Sequence, residues 1–340
     1  MLLKPRILTQ MSAFIIFLMA DTLLFANSPE ETKKPLKFKG DVSLKADFTQ
    51  SENKGDVEAE ANIKLESKRI KGWRAEIDIE GQSDERQMRL KEAFANWATE
   101  KLRVSLGLIE KNLGLESSQN KWKRHFESLL YRKLKETGYI GEELSLSVHS
   151  PDDDWSISLG LPESKDYGLR VAYQHSINNE LSAFTSGVLA SDSWYQGRRQ
   201  TVYAVTFALF STPLITDARL LSFEFEVGYG VDPVASEWSQ LAQGTGLTRF
   251  KLGRGGIRIR SPLMIAATPI WGLADLSLIE HSDSRHRVTA GDGGLGLLWF
   301  LDDWQLKTHI KRKVDSYRYP DYQTQRSYDW LFDMTFMVRI

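Results

Sequence analysis

Residues 102–135 read LRVSLGLIEKNLGLESSQNKWKRHFESLLYRKLK. The opening of this stretch alternates: Leu102, Val104, Leu106 and Leu108 share one face, while Lys101, Arg103 and Ser105 share the other. Period two of this kind is the signature of a β-strand with one apolar and one polar face. The alternation then stops, and it resumes only at Leu144, Leu146 and Val148. A connection of that length inside a compact fold is uncommon and usually functional. Between Lys111 and Lys135 it carries seven Lys or Arg against two Glu, with Trp122, Phe126 and Tyr131 among them. The segments on either side decide what kind of fold could carry such a loop.

Upstream the alternation is strict. Phe38, Val42, Leu44, Ala46 and Phe48 oppose Lys37, Lys39, Asp41, Ser43, Lys45, Asp47 and Thr49. Val57, Ala59, Ala61, Ile63 and Leu65 repeat the pattern, and Trp73, Ala75, Ile77 and Ile79 repeat it again. The intervening positions are almost all charged, and the segments exceed the five or six residues common in soluble sheets. Strands near ten residues with one apolar face suit a tilted bilayer crossing. A fourth segment, 89–98, does not show which of its faces is which. A brief Thr99–Glu100 turn precedes the strand already quoted. Further strands are predicted near 141–149, 154–161, 166–176, 181–191, 199–211, 217–230, 246–260, 270–281, 291–301, 303–315 and 326–340. The total is sixteen.

The connections also alternate. Lys111–Lys135, Ala190–Arg199, Val231–Gly246, His281–Asp292 and Val314–Tyr328 read as long; Thr99–Lys101, Pro151–Asp154, Ser176–Glu180 and Asp302–Asp303 read as tight. Long loops at one rim and short turns at the other are characteristic of transmembrane β-barrels. The alternative, a secreted soluble β-rich binder, would have to cover the apolar face with a second sheet.

The N-terminus predicts export. Lys4 and Arg6 precede the apolar run from Met11 to Ala20, which continues past Asp21 to Phe25 and Ala26. This matches a secretory leader, 1–26, with cleavage after Ala26 and a barrel domain over 27–340. A retained anchor is the competing reading, but Asp21 leaves the run short for a stable span. With no cysteine in the 340 residues, thiolate metal sites, cysteine nucleophiles and disulfides are excluded. A formal net charge of -1 excludes a strongly basic nucleic-acid binder.

Aromatic residues fall near strand ends: Trp155, Trp194, Tyr195, Trp238, Trp271, Trp299, Trp304 and Trp330 are expected in interfacial girdles. The last segment places Tyr328, Trp330, Phe332, Met334, Phe336, Val338 and Ile340 on one face. It resembles the C-terminal strand of outer-membrane proteins, although those commonly end in an aromatic residue. Lys91-Glu-Ala-Phe-Ala-Asn-Trp97 with Val104-Ser-Leu-Gly-Leu108, and Leu295-Gly-Leu-Leu-Trp-Phe-Leu301 with Trp304-Gln-Leu-Lys-Thr-His-Ile310, are similar to hairpins of the phosphate-selective porin (porin O and P) superfamily. That resemblance implies an all-β transmembrane antiparallel barrel of about 16 strands in a Gram-negative outer membrane. It also implies a homotrimer and a third extracellular loop folded into the lumen.

If the apolar rows meet outer-membrane lipid, the alternate rows line water. Arg254, Arg258 and Arg260 share one such row, and Lys307, His309, Lys311 and Lys313 share another. Rows of Arg and Lys lower the barrier to anions, and Arg adds bidentate geometry for phosphate oxygens. Lys121, Lys123, Arg124, Arg132 and Lys133 of the long loop would add to that field at a constriction. Asp41, Asp47, Glu58, Glu60, Glu76, Asp78 and Glu80 could instead neutralise it, giving a general pore for small neutral or anionic solutes. A non-conducting barrel with a structural, anchoring or adhesive role is the alternative of a different class.

No catalytic, cofactor or metal site is expected, so the chain is not read as an enzyme. Ser147, His149 and Ser150 lie close together, but Ser147 and His149 share a polar face with no evident acidic orienter. His281, Asp283 and His286 fall in a polar loop, where spacing alone is weak support for a metal site. Gly253, Gly255 and Gly256 precede no helix, so they suggest a bulge or bend rather than a phosphate loop.

Overall fold

A computed structural model describes residues 36–49, 54–82, 87–111, 113–115, 131, 134–135, 139–160, 167–195, 198–211, 220–232, 248–265, 268–282, 287–301, 304–318 and 324–339. These residues form one closed barrel of sixteen antiparallel strands, each paired with its neighbours in sequence. The strands are β1 Leu36–Thr49, β2 Lys54–Ser67, β3 Trp73–Gln82, β4 Gln87–Ala98, β5 Arg103–Lys111, β6 Gly141–His149, β7 Trp155–Gly160 and β8 Tyr167–Ser176. They continue as β9 Leu181–Tyr195, β10 Arg198–Ser211, β11 Leu221–Asp232, β12 Thr248–Ile265, β13 Thr268–Ser282, β14 Arg287–Leu301, β15 Trp304–Arg318 and β16 Thr324–Arg339.

Closure comes from β1 against β16, where Val42 faces Val338, Leu44 faces Phe336 and Phe48 faces Phe332. Two apolar rows thus continue one another across the seam, and no strand edge is left open to aggregation. Directly opposed residues lie on the same side of a sheet, so the register assigns every row to the inside or the outside. The outer rows are apolar yet exposed: Leu44 at 48%, Val205 at 50%, Ile259 at 55% and Leu295 at 69%. An apolar surface this continuous is not a water-facing surface. The inner rows are largely buried and carry most of the buried polar and charged side chains, with apolar patches among them.

Trp299, Trp304 and Phe336 cluster on the outside at the turn rim, with ring centroids 4.7 and 5.6 Å apart. Trp271 corrects the girdle expectation: it faces Arg260 and Leu298 on inner rows and is 2% exposed, so it packs inside. Trp238 and Ile340 lie outside the described residues.

Several local readings change. The faces of 89–98 were illegible because β4 carries an extra residue: Asp78 opposes Glu92, whereas Ile79 opposes Leu90, leaving Lys91 as a bulge that shifts the alternation. Strands also run farther toward the loop rim than the hydropathy pattern suggests. Most of 190–199 is strand, since β9 ends at Tyr195 and β10 begins at Arg198. Segments 112–140 and 233–247 are the two longest connections between strands at that rim. The glycines of β12 do not form a bulge: pairing is continuous from Arg249 to Arg260, and the register slips only between Arg260 and Met264.

Candidate functional site

The lumen is the candidate site, and its two walls differ. On β11 the inward row includes Ser222, Glu224 and Glu226; on β12 it includes Arg254, Gly256 and Arg258. Arg254 donates from Nε to Glu226 Oε2 at 3.0 Å and from Nη1 to Glu224 Oε1 at 2.8 Å. Arg258 lies 3.6 Å from the second Glu224 oxygen. Buried charges persist only when partnered, and this cluster is partnered on adjacent strands. Gly256 directly opposes Glu224, and a Cβ there would stand 3.3 Å from Glu224 Cγ. The missing side chain leaves the carboxylate room to turn between the two arginines.

A second group spans β13 to β16. His309 on β15 reaches over β14 to Asp275 on β13, with 2.7 Å between Nε2 and Oδ1. It can do so because Gly294 lies between them; a Cβ there would sit 2.3 Å from His309 Nε2. Lys311 lies 3.8 Å from Asp333, and Lys313 lies 3.2 Å from Asp315. One register row runs Glu226, Arg254, Ser277, Asp292, Lys313, Asp329 around the wall. Its charges alternate in sign, and the Ser277 hydroxyl donates to Asp292 at the neutral step.

The wall of β1–β4 is wetter. Lys64 pairs with Glu76, Arg74 with both Glu66 and Glu76, and Arg89 with Glu80. The Lys64, Arg74 and Arg89 side chains are 31–40% exposed, against 7% for Arg254 and 0% for Arg258. Ion pairs of such accessible cations contribute little to stability. Their charges face water.

On the buried side, the described residues of the long connection after β5 pack against the barrel wall. Leu113, Tyr131, Leu134, Tyr139 and Ile140 pack with Val188, Ala190, Val202, Ala204, Phe250, Leu252, Ile279 and Ala290 of the barrel wall. Leu115 packs with Phe184, Ala208 and Phe210. Polar bonds fix the entry: Gly114 N–H donates to Ser186 Oγ at 2.8 Å, and Leu115 N–H donates to Glu226 Oε1 at 2.8 Å. Tyr139 donates its hydroxyl to the Val231 carbonyl, and Arg170 donates to the Tyr139 carbonyl at 3.0 Å. Glu226 therefore joins the inserted segment to the arginine cluster. Sequence reading missed Glu224 and Glu226, although Phe223, Phe225 and Val227 already marked their row as the inner one.

All six expected strand cations, Arg254, Arg258, Arg260, Lys307, Lys311 and Lys313, lie on inner rows. They do not form one basic ladder, because Asp275 and Asp292 stand between the two groups. Of the expected neutralisers, Glu76 and Glu80 pair locally on β2–β4, while Glu224 and Glu226 serve Arg254 and Arg258. Lys121, Lys123, Arg124, Arg132 and Lys133 lie outside the described residues. Ser147 and His149 share the inner face as expected. An acid does stand near His149, with Asp153 Oδ1 3.7 Å from Nδ1, but the Ser147 hydroxyl donates to Ser158 at 2.8 Å. His281 lies on β13, and Asp283 and His286 lie outside the described residues.

The fold is similar to solved outer-membrane proteins. The outer-membrane expressed OmpT of Vibrio cholerae matches with a TM-score of 0.63 at 10% identity, over 91% of this chain and 99% of that one. An anion-selective porin from Comamonas acidovorans matches with a TM-score of 0.63 at 9% identity, over 90% and 99%. The outer membrane channel DcaP of Acinetobacter baumannii matches with a TM-score of 0.58 at 8% identity, over 90% and 97%. No protein-family model matches the sequence, and no curated protein resembles it in sequence.

Proposed function

We propose that this chain is a Gram-negative outer-membrane pore for passive diffusion of small hydrophilic solutes, with weak charge selectivity. The observation that carries this reading is the asymmetric lumen: one wall filled by the inserted segment, the other lined by half-exposed charges in water. No covalent chemistry is required; size exclusion by the inserted segment and the fixed field of paired rows are sufficient. The similarity of the fold to an anion-selective porin and to an outer membrane channel supports the same reading.

Anion or phosphate preference, which the resemblance to phosphate-selective porins raises, would draw on Lys121, Lys123, Arg124, Arg132 and Lys133, with the accessible Lys64, Arg74 and Arg89 contributing. Arg254 and Arg258 are already engaged by Glu224 and Glu226. Proteoliposome swelling tests the pore directly. Uptake should be rapid for a pentose and fall steeply toward a tetrasaccharide; no swelling with a folded, inserted barrel would sink the proposal. A second reading, a plugged structural barrel, draws on the complete burial of Arg258 and Glu226, and that negative result would favour it.

The proposal includes a leader, residues 1–26, removed on export, and assembly as a homotrimer. Intact mass of membrane-extracted protein should begin at Asn27; a mass retaining the leader would favour an anchor instead.

A further inference from the structure

The outer face of β12–β16 carries charges that a pore does not use. Arg249 and Lys251 on β12, Arg287 on β14, Arg312 on β15 and Arg326 on β16 all point outward and are exposed. They lie toward the rim of the long connections. Aromatic rings accompany them: Lys251 directly opposes Tyr229, which lies 6.2 Å from the Tyr203 ring. The Arg312 guanidinium sits 5.1 Å from the Tyr328 centroid and 5.8 Å from that of Trp330. Among the described residues of these strands, Glu280 is the only outward-facing carboxylate, and it pairs with Arg287. Toward the turn rim the same outer rows carry Ile259, Ile270, Trp299, Trp304, Phe336 and Val338, with no Lys or Arg among the described residues.

A cation on the lipid face is destabilising by about 2–4 kcal/mol at the bilayer midplane and close to neutral at the interface. Five outward cations, two of them beside aromatic side chains, therefore place this strip at headgroup depth on one side of the membrane. Arg binds phosphate oxygens through paired N–H donors, and stacking on Tyr328 and Trp330 holds one guanidinium in position for it. We propose that this strip binds phosphate-bearing lipid headgroups in the leaflet at the long-connection rim. The proposal rests on the membrane reading above, and it adds a lipid site on the outside of the barrel.

The test uses the purified full-length barrel, reconstituted in phosphatidylcholine nanodiscs, with diphosphorylated lipid A as the probe. Dephosphorylated lipid A keeps the acyl chains and removes the ligand chemistry. Native mass spectrometry should show the diphosphorylated form retained at least tenfold more than the dephosphorylated form. The combined substitution Arg249→Gln, Lys251→Gln, Arg287→Gln and Arg312→Gln should abolish that preference, while Lys68→Gln with Lys101→Gln should leave it unchanged. Equal retention of the two lipids, or a quadruple variant that still prefers the phosphorylated one, would overturn the proposal. So would displacement of lipid A by millimolar inorganic phosphate, which would assign the strip to a soluble anion. Failure of the wild type to enter nanodiscs would instead overturn the membrane reading.

Discussion

Replacing Glu226 by Ala should both destabilise the barrel and enlarge its conductance. The substitution removes one of two carboxylates around Arg254 and the acceptor of the Leu115 N–H. Breaking a buried ion pair by deleting one partner costs about 3–5 kcal/mol, and an orphaned buried N–H about 1–3 more. The heat-modifiable folded band on a gel should therefore convert to the unfolded one at a clearly lower temperature. Single-channel current should rise and become noisy as the inserted segment leaves the wall. Glu226→Gln keeps an amide oxygen for the Leu115 N–H and should fall between. The double change Glu226→Leu with Arg254→Met removes both charges and should recover stability without restoring the current. A Glu226→Ala barrel with wild-type melting and conductance would show that the carboxylate anchors nothing.

Gly114→Val should open the lumen while sparing the wall. Gly114 has a φ of +89°, and a Cβ there would lie 2.4 Å from Glu226 Oε1. A residue with a side chain at positive φ costs about 1–2 kcal/mol, and a β-branched one is worse placed still. Because that Cβ would meet the carboxylate holding Leu115, the strain is relieved by moving the segment away from β9 and β11. The strand ladders are not involved, so the melting temperature should shift far less than in Glu226→Ala. Conductance and the size of the largest permeating sugar should both increase. Gly253→Ala is the matched control, since its nearest neighbour would be 3.9 Å away and its row faces outward. Equal currents from Gly114→Val and wild type would mean that residues 113–115 do not limit the passage.

Much of this architecture is legible because the inside–outside alternation is written residue by residue. Val42, Leu44 and Ala46 against Asp41, Ser43 and Lys45 fix both the strand and its faces, and the same rule finds all sixteen strands. It fails where geometry departs from period two. Lys91 is an inserted residue, so 89–98 shows no clean faces until its pairing is known. Gly253 and Gly255 share the outer face of a regular strand, while Gly256 serves a carboxylate on the neighbouring one; glycine content alone cannot distinguish this from a bulge.

The site was legible in position but not in partnership. Periodicity places Arg254, Arg258, Lys307 and Lys311 inside, yet charge neutralisation depends on which strands are adjacent. Glu224 is 30 residues from Arg254 and Asp275 is 34 from His309, so only register brings them together. Arg312 illustrates the reverse case. It breaks the outer apolar row, and the neighbours that accommodate it, Tyr328 and Trp330, come from the next strand.

A lumen that conducts while its charged rows are balanced on adjacent strands has a definite electrical signature. Its most direct test is the zero-current potential of the purified, refolded protein in a planar bilayer under a KCl gradient. The paired rows predict sizeable conductance with a potential close to zero. A potential at the chloride limit would contradict the balanced lumen and return the role to an unneutralised basic ladder. A folded, inserted barrel that passes no current would contradict the pore itself.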